Sequence, residues 1–116
     1  MLLSAVLMLL LVIAAATAHH RVMKGKATYY ADEYAGQTMA CGGKYQPWKM
    51  VAAHHKLACG TRLKVKNRSN GRVVTVTVRD RKAKSDIILD LSKRAAKKLG
   101  FLDEGVDKVR AAVLHD

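Results

Sequence analysis

Alternating apolar and polar residues predict short β-strands along most of the chain. The clearest run is V-V-T-V-T-V, whose core-facing positions are Val74, Val76 and Val78. A second alternating run at 63–65 precedes it. Asn70-Gly71 lies between the two runs and predicts a hairpin turn, because both positions tolerate positive φ. Further strands are predicted at 27–30, 87–89 and 109–114.

One helix interrupts the strand pattern. It is predicted to begin after Ser92, whose hydroxyl is a good N-cap, and to end at Gly100. Its apolar stripe consists of Ala95, Ala96 and Leu99. We interpret the apolar patch at 50–54 as a helical turn and 32–43 as a loop. Short strands with one helix favour a mainly β fold, a small closed barrel, because closure removes exposed strand edges.

The N-terminus has the pattern of an export signal. Residues 2–16 are almost entirely apolar, and Ala16-Thr17-Ala18 is a small-x-small cleavage site. A short membrane anchor is the alternative, although a span needs about 20 residues. We therefore predict a secretory signal peptide at 1–18, a flexible basic arm at 19–26 and one domain at 27–116. The mature protein is expected to be secreted, periplasmic or extracellular, and monomeric.

The two cysteines, Cys41 and Cys59, suit an exported protein. An even pair in an oxidising compartment is more readily bridged than free. The alternative is that both cysteines are unbridged and act as small buried apolar residues. Neither CxxC nor HxxxH spacing accompanies them, so we expect no metal and no cofactor.

The chain has a formal net charge of +12. Outside the cell this charge favours anionic wall polymers as partners, although a solvated lysine surface that aids solubility is the plainer interpretation. Basicity alone also gives unspecific phosphate binding. Because the chain contains no known nucleic-acid-binding motif, we expect no nucleic-acid partner.

Two aspartates are candidates for acid–base chemistry. Asp80 ends the valine-rich strand between Arg79 and Arg81, and alternation places it on the opposite side from both. Their positive field would lower its pKa, and a surface ion pair is the alternative role. Asp90 lies between two leucines, where burial requires a partner. It is either a helix-capping acid or a ligand-facing one.

The other candidate residues are histidines and aromatic residues. His54 and His55 are adjacent, so in extended chain they would point apart, with one facing a cleft. Taken alone, a structural histidine is the better interpretation. Sugar stacking is the hypothesis for three aromatic residues, with core packing as the alternative: Tyr29, Tyr30 and Trp48. Thr28 is a polar neighbour of the two tyrosines on the same strand.

Six segments in order resemble the double-psi β-barrel of rare lipoprotein A, a septal peptidoglycan lytic transglycosylase, and the first domain of expansins. They cover 24–114 and read G-K-A-T-Y-Y (25–30), A-C-G-G-K-Y (40–45), A-A-H-H-K-L-A-C-G-T (52–61), N-G-R (70–72), D-R (80–81) and L-D-L-S with the helix (89–100). The resemblance implies a six-stranded barrel with one or two short helices. It also implies a Cys41–Cys59 disulfide, as in small secreted eukaryotic versions of the barrel.

The same resemblance implies the roles of the site residues. Asp80 takes the position of the catalytic acid, His54 that of its partner, and Asp90 that of the aspartate essential in expansins. Thr28 and Tyr29 would line the glycan groove. Independently of the resemblance, Tyr30, Trp48 and Arg81 are further candidates for substrate binding. In the lytic transglycosylases an acid protonates the MurNAc–GlcNAc bond and the sugar's own 6-hydroxyl attacks.

One departure from the family pattern separates the functional hypotheses. The family's D-R-G-P loop is D-R-K-A-K in this chain, at 80–84. The first hypothesis is a peptidoglycan lytic transglycosylase. The changed loop gives weight to the second, a non-catalytic expansin-like module that binds wall polysaccharide. The third is a secreted barrel that acts as a protein inhibitor or effector.

Overall fold

The computed structural model describes residues 21–115. The predicted signal peptide, and His19 and His20 of the predicted arm, lie outside the described residues. The strands are β1 (Val22–Tyr29), β2 (Val51–His54), β3 (Arg62–Asn67), β4 (Val73–Arg81), β5 (Ile87–Leu91) and β6 (Asp107–Val113). The helix α1 spans Lys93–Leu99, and a 3-10 turn spans Asp32–Tyr34. Within 21–115, no helix has the length and apolarity to cross a bilayer.

The strands close into one barrel in the order β1-β5-β2-β4-β3-β6. The pairs β1–β5 and β2–β4 are parallel, and the other four pairs are antiparallel. Parallel neighbours cannot be joined by a tight hairpin, so the chain crosses over the barrel between them. This arrangement confirms the predicted six-stranded double-psi barrel with one helix.

The barrel interior follows the predicted alternation. Every second residue is buried in β3 and in the first six residues of β4, where Val74, Val76 and Val78 all face the core as expected. The fully buried Phe101 and the apolar stripe of α1 add to the same core.

The ends of α1 are capped as the sequence predicted. The Ser92 hydroxyl accepts a hydrogen bond from the Ala95 amide over 3.4 Å. Gly100 ends the helix at φ +81°, in the left-handed region where glycine is favoured. The side-chain amides of Asn67 and Asn70 donate to the Leu99 carbonyl over 2.8 and 2.9 Å, which joins the helix end to the β3–β4 hairpin.

The structure corrects two predicted elements. β1 begins at Val22 rather than at 27, so the part of the predicted flexible arm from Val22 to residue 26 is strand, because it pairs with β6 from Val22↔Ala112 to Lys26↔Lys108. The prediction of a helical turn at 50–54 is also wrong. It contains β2, a central strand whose four residues are all buried, which is why it shows no alternation.

Candidate functional site

One row of residues runs across four neighbouring strands and carries both candidate acids. Thr28 of β1 pairs with Asp90 of β5, Asp90 pairs with Ala53 of β2, and Ala53 pairs with Asp80 of β4. Asp90 lies between the core residues Leu89 and Leu91, so its side chain is on the outer face of the barrel. Two strand spacings place the Cα atoms of Asp80 and Asp90 about 10 Å apart.

A β-bulge brings Asp80 onto this outer row. Simple alternation after Val76 and Val78 would turn Asp80 into the barrel. Instead the register jumps from Ala52↔Val78 to Ala53↔Asp80, which leaves Arg79 as an extra residue. A bulge of this kind re-aims the following side chain and is common at barrel rims.

Three residues of this row, Thr28, Asp80 and Asp90, form the floor of a cleft of about 500 Å³. Both aspartates line it, so they open on the same side of the molecule. The lining residues come from the ends of β1, β4 and β5 and from the loop after the 3-10 turn. They are Thr28, Tyr29, Tyr30, Ala31, Tyr34, Gln37, Thr38, Met39, Tyr45, Asp80, Arg81, Lys82 and Asp90.

Asp80 is held as a carboxylate. The Tyr30 hydroxyl donates to Oδ2 over 2.6 Å, and the amides of Ala40 and Arg81 donate to Oδ1 over 2.8 and 2.9 Å. Burial by itself raises the pKa of Asp80. The three hydrogen bonds and the charge of Arg81 outweigh burial and hold the pKa below its ordinary value.

Asp90 is shifted in the opposite direction. Burial raises the pKa of Asp90 above its ordinary value, Lys82 opposes the rise, and the negative charge of Asp80 reinforces it. Two carboxyls on one cleft floor are therefore driven apart in pKa. Such a pair can provide a proton donor and an ionised group at the same pH.

Tyr30 is fixed by its aromatic neighbours. Its ring stacks on Tyr45 with centroids 4.3 Å apart and planes 16° apart, and Tyr34 meets it edge-on at 6.0 Å. Burial and the hydrogen bond to Asp80 raise the pKa of Tyr30, so its hydroxyl remains a donor. Tyr45 is buried, and its hydroxyl accepts the Lys93 amide over 3.1 Å.

The altered loop after Asp80 is organised by Lys82. The Lys82 ammonium donates to the Ala83 carbonyl over 2.9 Å, to the Ser85 hydroxyl over 3.3 Å and to the Ile87 carbonyl over 2.6 Å. These bonds close the loop without the glycine and proline of the family pattern, and they keep a positive charge beside Asp90.

The disulfide ties the cleft wall to the barrel. Cys41 and Cys59 are bonded, with Cα atoms 5.8 Å apart, which confirms the predicted bridge. The Cys41 amide donates to the Arg79 carbonyl over 3.0 Å, and the Arg79 guanidinium donates to the carbonyls of Cys41 and Gly42 over 3.2 and 3.1 Å. The loop that carries the Ala40 amide is thus held against Asp80.

His54 does not line the cleft. It is 1% exposed, and its Nδ1 accepts the amides of Lys56 and Leu57 over 3.1 and 3.0 Å. Burial, and then the charges of His55 and nearby arginines, lower the pKa of His54 to about 4. The prediction that His54 and His55 point apart is wrong: their rings lie 4.5 Å apart, because β2 ends at His54 and the chain bends there.

The structure brings most predicted site residues together. Six line the cleft: Thr28, Tyr29, Tyr30, Asp80, Arg81 and Asp90. Tyr29 is also partly a core residue, since its ring meets Phe101 and its hydroxyl donates to the Leu102 carbonyl over 2.6 Å.

Trp48 is outside the cleft. It is 61% exposed in a shallow pocket with Pro47, Lys93, Arg94 and Lys97.

Sequence reasoning missed part of the cleft wall. Tyr45 and Lys82 line the cleft, and so does the loop from Gln37 to Met39. The signal for the loop was the bridged Cys41, which fixes the segment beside Asp80. Lys82 could have been found from its place directly after the D-R element.

The six-stranded closed barrel, with two carboxyls in a cleft on its outer face, places the protein in the class of double-psi β-barrels. Residues 22–111 match the family described as lytic transglycolase, and the chain belongs to this family. It is similar to the probable endolytic peptidoglycan transglycosylase RlpA of Nostoc sp., with 42% identity over 94 residues. It is also similar to the endolytic peptidoglycan transglycosylase RlpA of Pseudomonas aeruginosa, with 40% identity over 89 residues. These matches cover 78% and 76% of the chain, which spans only 25% and 26% of those relatives.

Solved structures give the same fold. The Streptomyces papain inhibitor superposes with a TM-score of 0.66 at 30% identity, over 82% of this chain and 96% of that one. The apo expansin of Clavibacter michiganensis superposes with a TM-score of 0.67 at 28% identity, over 83% of this chain and 52% of that one. A mutant of that expansin has been solved in complex with cellohexaose; at 24% identity this likeness shows the fold alone.

Proposed function

We propose that this protein cleaves peptidoglycan glycan strands outside the cytoplasm as a lytic transglycosylase, with the outer cleft as its active site. The observation that carries the proposal is the pair of carboxyls on one cleft floor with opposite pKa shifts. Membership of the lytic transglycolase family supports the same reaction class.

In this proposal Asp90 is the proton donor. A general acid needs a pKa raised towards the working pH, which burial provides at Asp90 and hydrogen bonding denies to Asp80. Asp90 gives its proton to the glycosidic oxygen between MurNAc and GlcNAc as that bond breaks. The 6-hydroxyl of MurNAc then bonds to C1 and loses its proton to the Asp80 carboxylate, so no water is consumed. This assignment reverses the one implied by resemblance, in which Asp80 is the acid.

The remaining predicted residues take supporting roles. Thr28, Tyr30 and Arg81 line the cleft and would contact the glycan. His54 is a positioning residue, because its Nδ1 orders the turn that leads from β2 towards Cys59. Trp48 would contact the glycan outside the cleft, with its exposed ring as the platform.

Two other functions have specific support. The Lys82-centred loop departs from the family pattern and places a cation beside the acid, which favours an expansin-like module that binds wall polysaccharide without cleaving it. The likeness to the Streptomyces papain inhibitor, which this chain matches over 96% of that protein's length, favours a barrel that acts on a partner protein.

Digestion of purified peptidoglycan distinguishes these functions. The wild-type protein should release fragments with 1,6-anhydro ends, detected by mass spectrometry, and Asp90→Asn should release none. The matched control is Asp103→Asn, an exposed acid outside the cleft, which should behave like the wild type. Fragments with hydrated reducing ends would indicate hydrolysis by the two carboxyls. Wall binding without fragments would indicate the expansin-like module, and inhibition of papain without wall binding would indicate the inhibitor.

A further inference from the structure

Positive side chains lie in register on the outer wall formed by β1, β6 and β3. In one row, strand pairing aligns Lys24, Arg110 and Lys66 across all three strands. In the next row, Lys26 pairs with Lys108. All five are exposed and alternate with core-facing residues, so they project from the same face of the sheet.

A sixth cation completes the second row. Arg68 follows the end of β3, is exposed, and donates its amide to the Lys108 carbonyl over 2.9 Å. The result is two rows of three cations, about 5 Å apart across the strands and about 7 Å apart along them. We call this set the cationic grid: Lys24, Lys26, Lys66, Arg68, Lys108 and Arg110.

The cationic grid is unfavourable for folding by itself. Like charges directly opposite each other on neighbouring strands are destabilising, and the pairs Lys24–Arg110, Arg110–Lys66 and Lys26–Lys108 are all of this kind. Lys26 has a long ion pair with Asp86, at 3.9 Å, and the Asp86 side chain is 79% exposed, which makes it a weak counterion. A bound polyanion would offset the repulsion across the whole face.

We propose that the cationic grid is a binding site for a linear anionic polysaccharide that carries a carboxylate or phosphate on each repeat. Regularly spaced point charges suit a partner with regularly spaced anions. The position of the grid also suits a glycan, because Thr28 of the cleft lies on the same outer face of β1, two residues beyond Lys26.

The shape and composition of the face favour a polymer over a membrane. A barrel wall is convex and meets a flat bilayer only along a line, whereas a flexible chain can follow it. Interfacial membrane contact also relies on large apolar or aromatic residues. Within residues 21–115 the exposed aromatic residues are Tyr34 and Trp48, and neither belongs to β1, β3 or β6. The one exposed large apolar residue on these three strands is Val22, at the start of β1, and Val106 directly precedes β6.

The test measures binding to polygalacturonate, a linear polysaccharide with one carboxylate per sugar, with its methyl-ester form as the uncharged comparison. The variant Lys24→Gln, Lys66→Gln, Arg110→Gln removes one full row. The matched control removes the same charge from exposed sites on other elements, by Lys44→Gln, Lys56→Gln and Lys98→Gln. Affinities are measured at several salt concentrations, and thermal midpoints show that each variant is folded.

The grid variant should bind polygalacturonate at least tenfold more weakly, with the salt slope of log K reduced by about two. The control should bind within twofold of the wild type, and the methyl ester should bind weakly to all three. The grid variant should melt no lower than the wild type, since repulsion has been removed. Equal losses in both variants would reduce the effect to net charge and overturn the proposal. The proposal would also be overturned if the grid variant lost binding to phosphatidylglycerol vesicles but still bound polygalacturonate.

Polygalacturonate and its methyl ester do not contain the MurNAc–GlcNAc bond that the proposed enzyme cleaves. The result of this binding test is therefore independent of catalysis.

Discussion

The Tyr30 hydroxyl donates to Oδ2 of Asp80 over 2.6 Å, which joins the end of β1 to the end of β4 across the cleft. The two residues are 50 positions apart, and no strand pairing links β1 to β4 directly. The bond has two consequences. It fixes the position of Tyr30 in the cleft lining, and it helps to keep Asp80 ionised.

Tyr30→Phe should lower the free energy of unfolding at neutral pH and leave it nearly unchanged in acid. Phe keeps the stack on Tyr45 but removes the donor, so the pKa of Asp80 rises towards its ordinary value. A lowered carboxyl pKa stabilises the fold above the unfolded pKa, and this contribution is lost as pH falls through the folded pKa. The free energy of unfolding should therefore drop by about 1–2 kcal/mol at pH 7 and by much less at pH 2.5.

Urea unfolding of Tyr30→Phe at both pH values provides the measurement. Tyr34→Phe is the control, because Tyr34 is exposed and meets Tyr30 only with its ring edge. An equal loss at pH 7 and pH 2.5 would show that the Tyr30 hydroxyl does not act through the charge of Asp80.

His54→Asn should make the protein less sensitive to acid. The pKa of His54 is about 4 when folded and about 6.5 when unfolded, so the unfolded state binds the proton first. Wild-type stability should therefore fall as pH drops from 6.5 to 4, by about 3 kcal/mol from this residue. Asn offers an oxygen to the Lys56 and Leu57 amides and does not titrate.

The check is the unfolding free energy of His54→Asn and of wild type across pH 7 to 4. His55→Asn should retain most of the wild-type slope, since His54 remains. If the slopes of His54→Asn and wild type coincide, then His54 is not the group that protonates on unfolding.

The sequence predicted the elements whose pattern is local. β4 shows a two-residue period, and α1 carries its own cap residues, so both were found. β2 was missed because a short strand buried on both faces has no alternation to read. The direction of the Asp80 side chain could not be predicted from the local sequence either, because it depends on a bulge that exists only once β4 pairs with β2. The same holds for His54, whose partners form only where β2 ends.

Trp48→Ala should weaken glycan binding without destabilising the fold. The ring is 61% exposed, and Trp48 contributes a backbone carbonyl that accepts from Arg94 over 3.1 Å, a bond that the substitution keeps. Loss of an aromatic anchor costs about 1–2 kcal/mol, or roughly tenfold in Kd. Affinity for glycan strands, measured by calorimetry, provides the test, and Trp48→Phe should retain most of it. A large fall in unfolding free energy would instead show that Trp48 covers the core.

Replacing both Cys41 and Cys59 by Ser should cost stability and loosen the cleft. The bridge closes a loop with a sequence separation of 18, and its removal should lower the free energy of unfolding by about 3 kcal/mol. The Arg79 guanidinium still binds the carbonyls of Cys41 and Gly42, so the loop remains attached but less firmly. With a weaker Ala40 bond, the pKa of Asp80 should rise. Guanidinium unfolding of the variant should match that of the wild type in reductant. A variant as stable as the oxidised wild type would show that the loop is held by Arg79 alone.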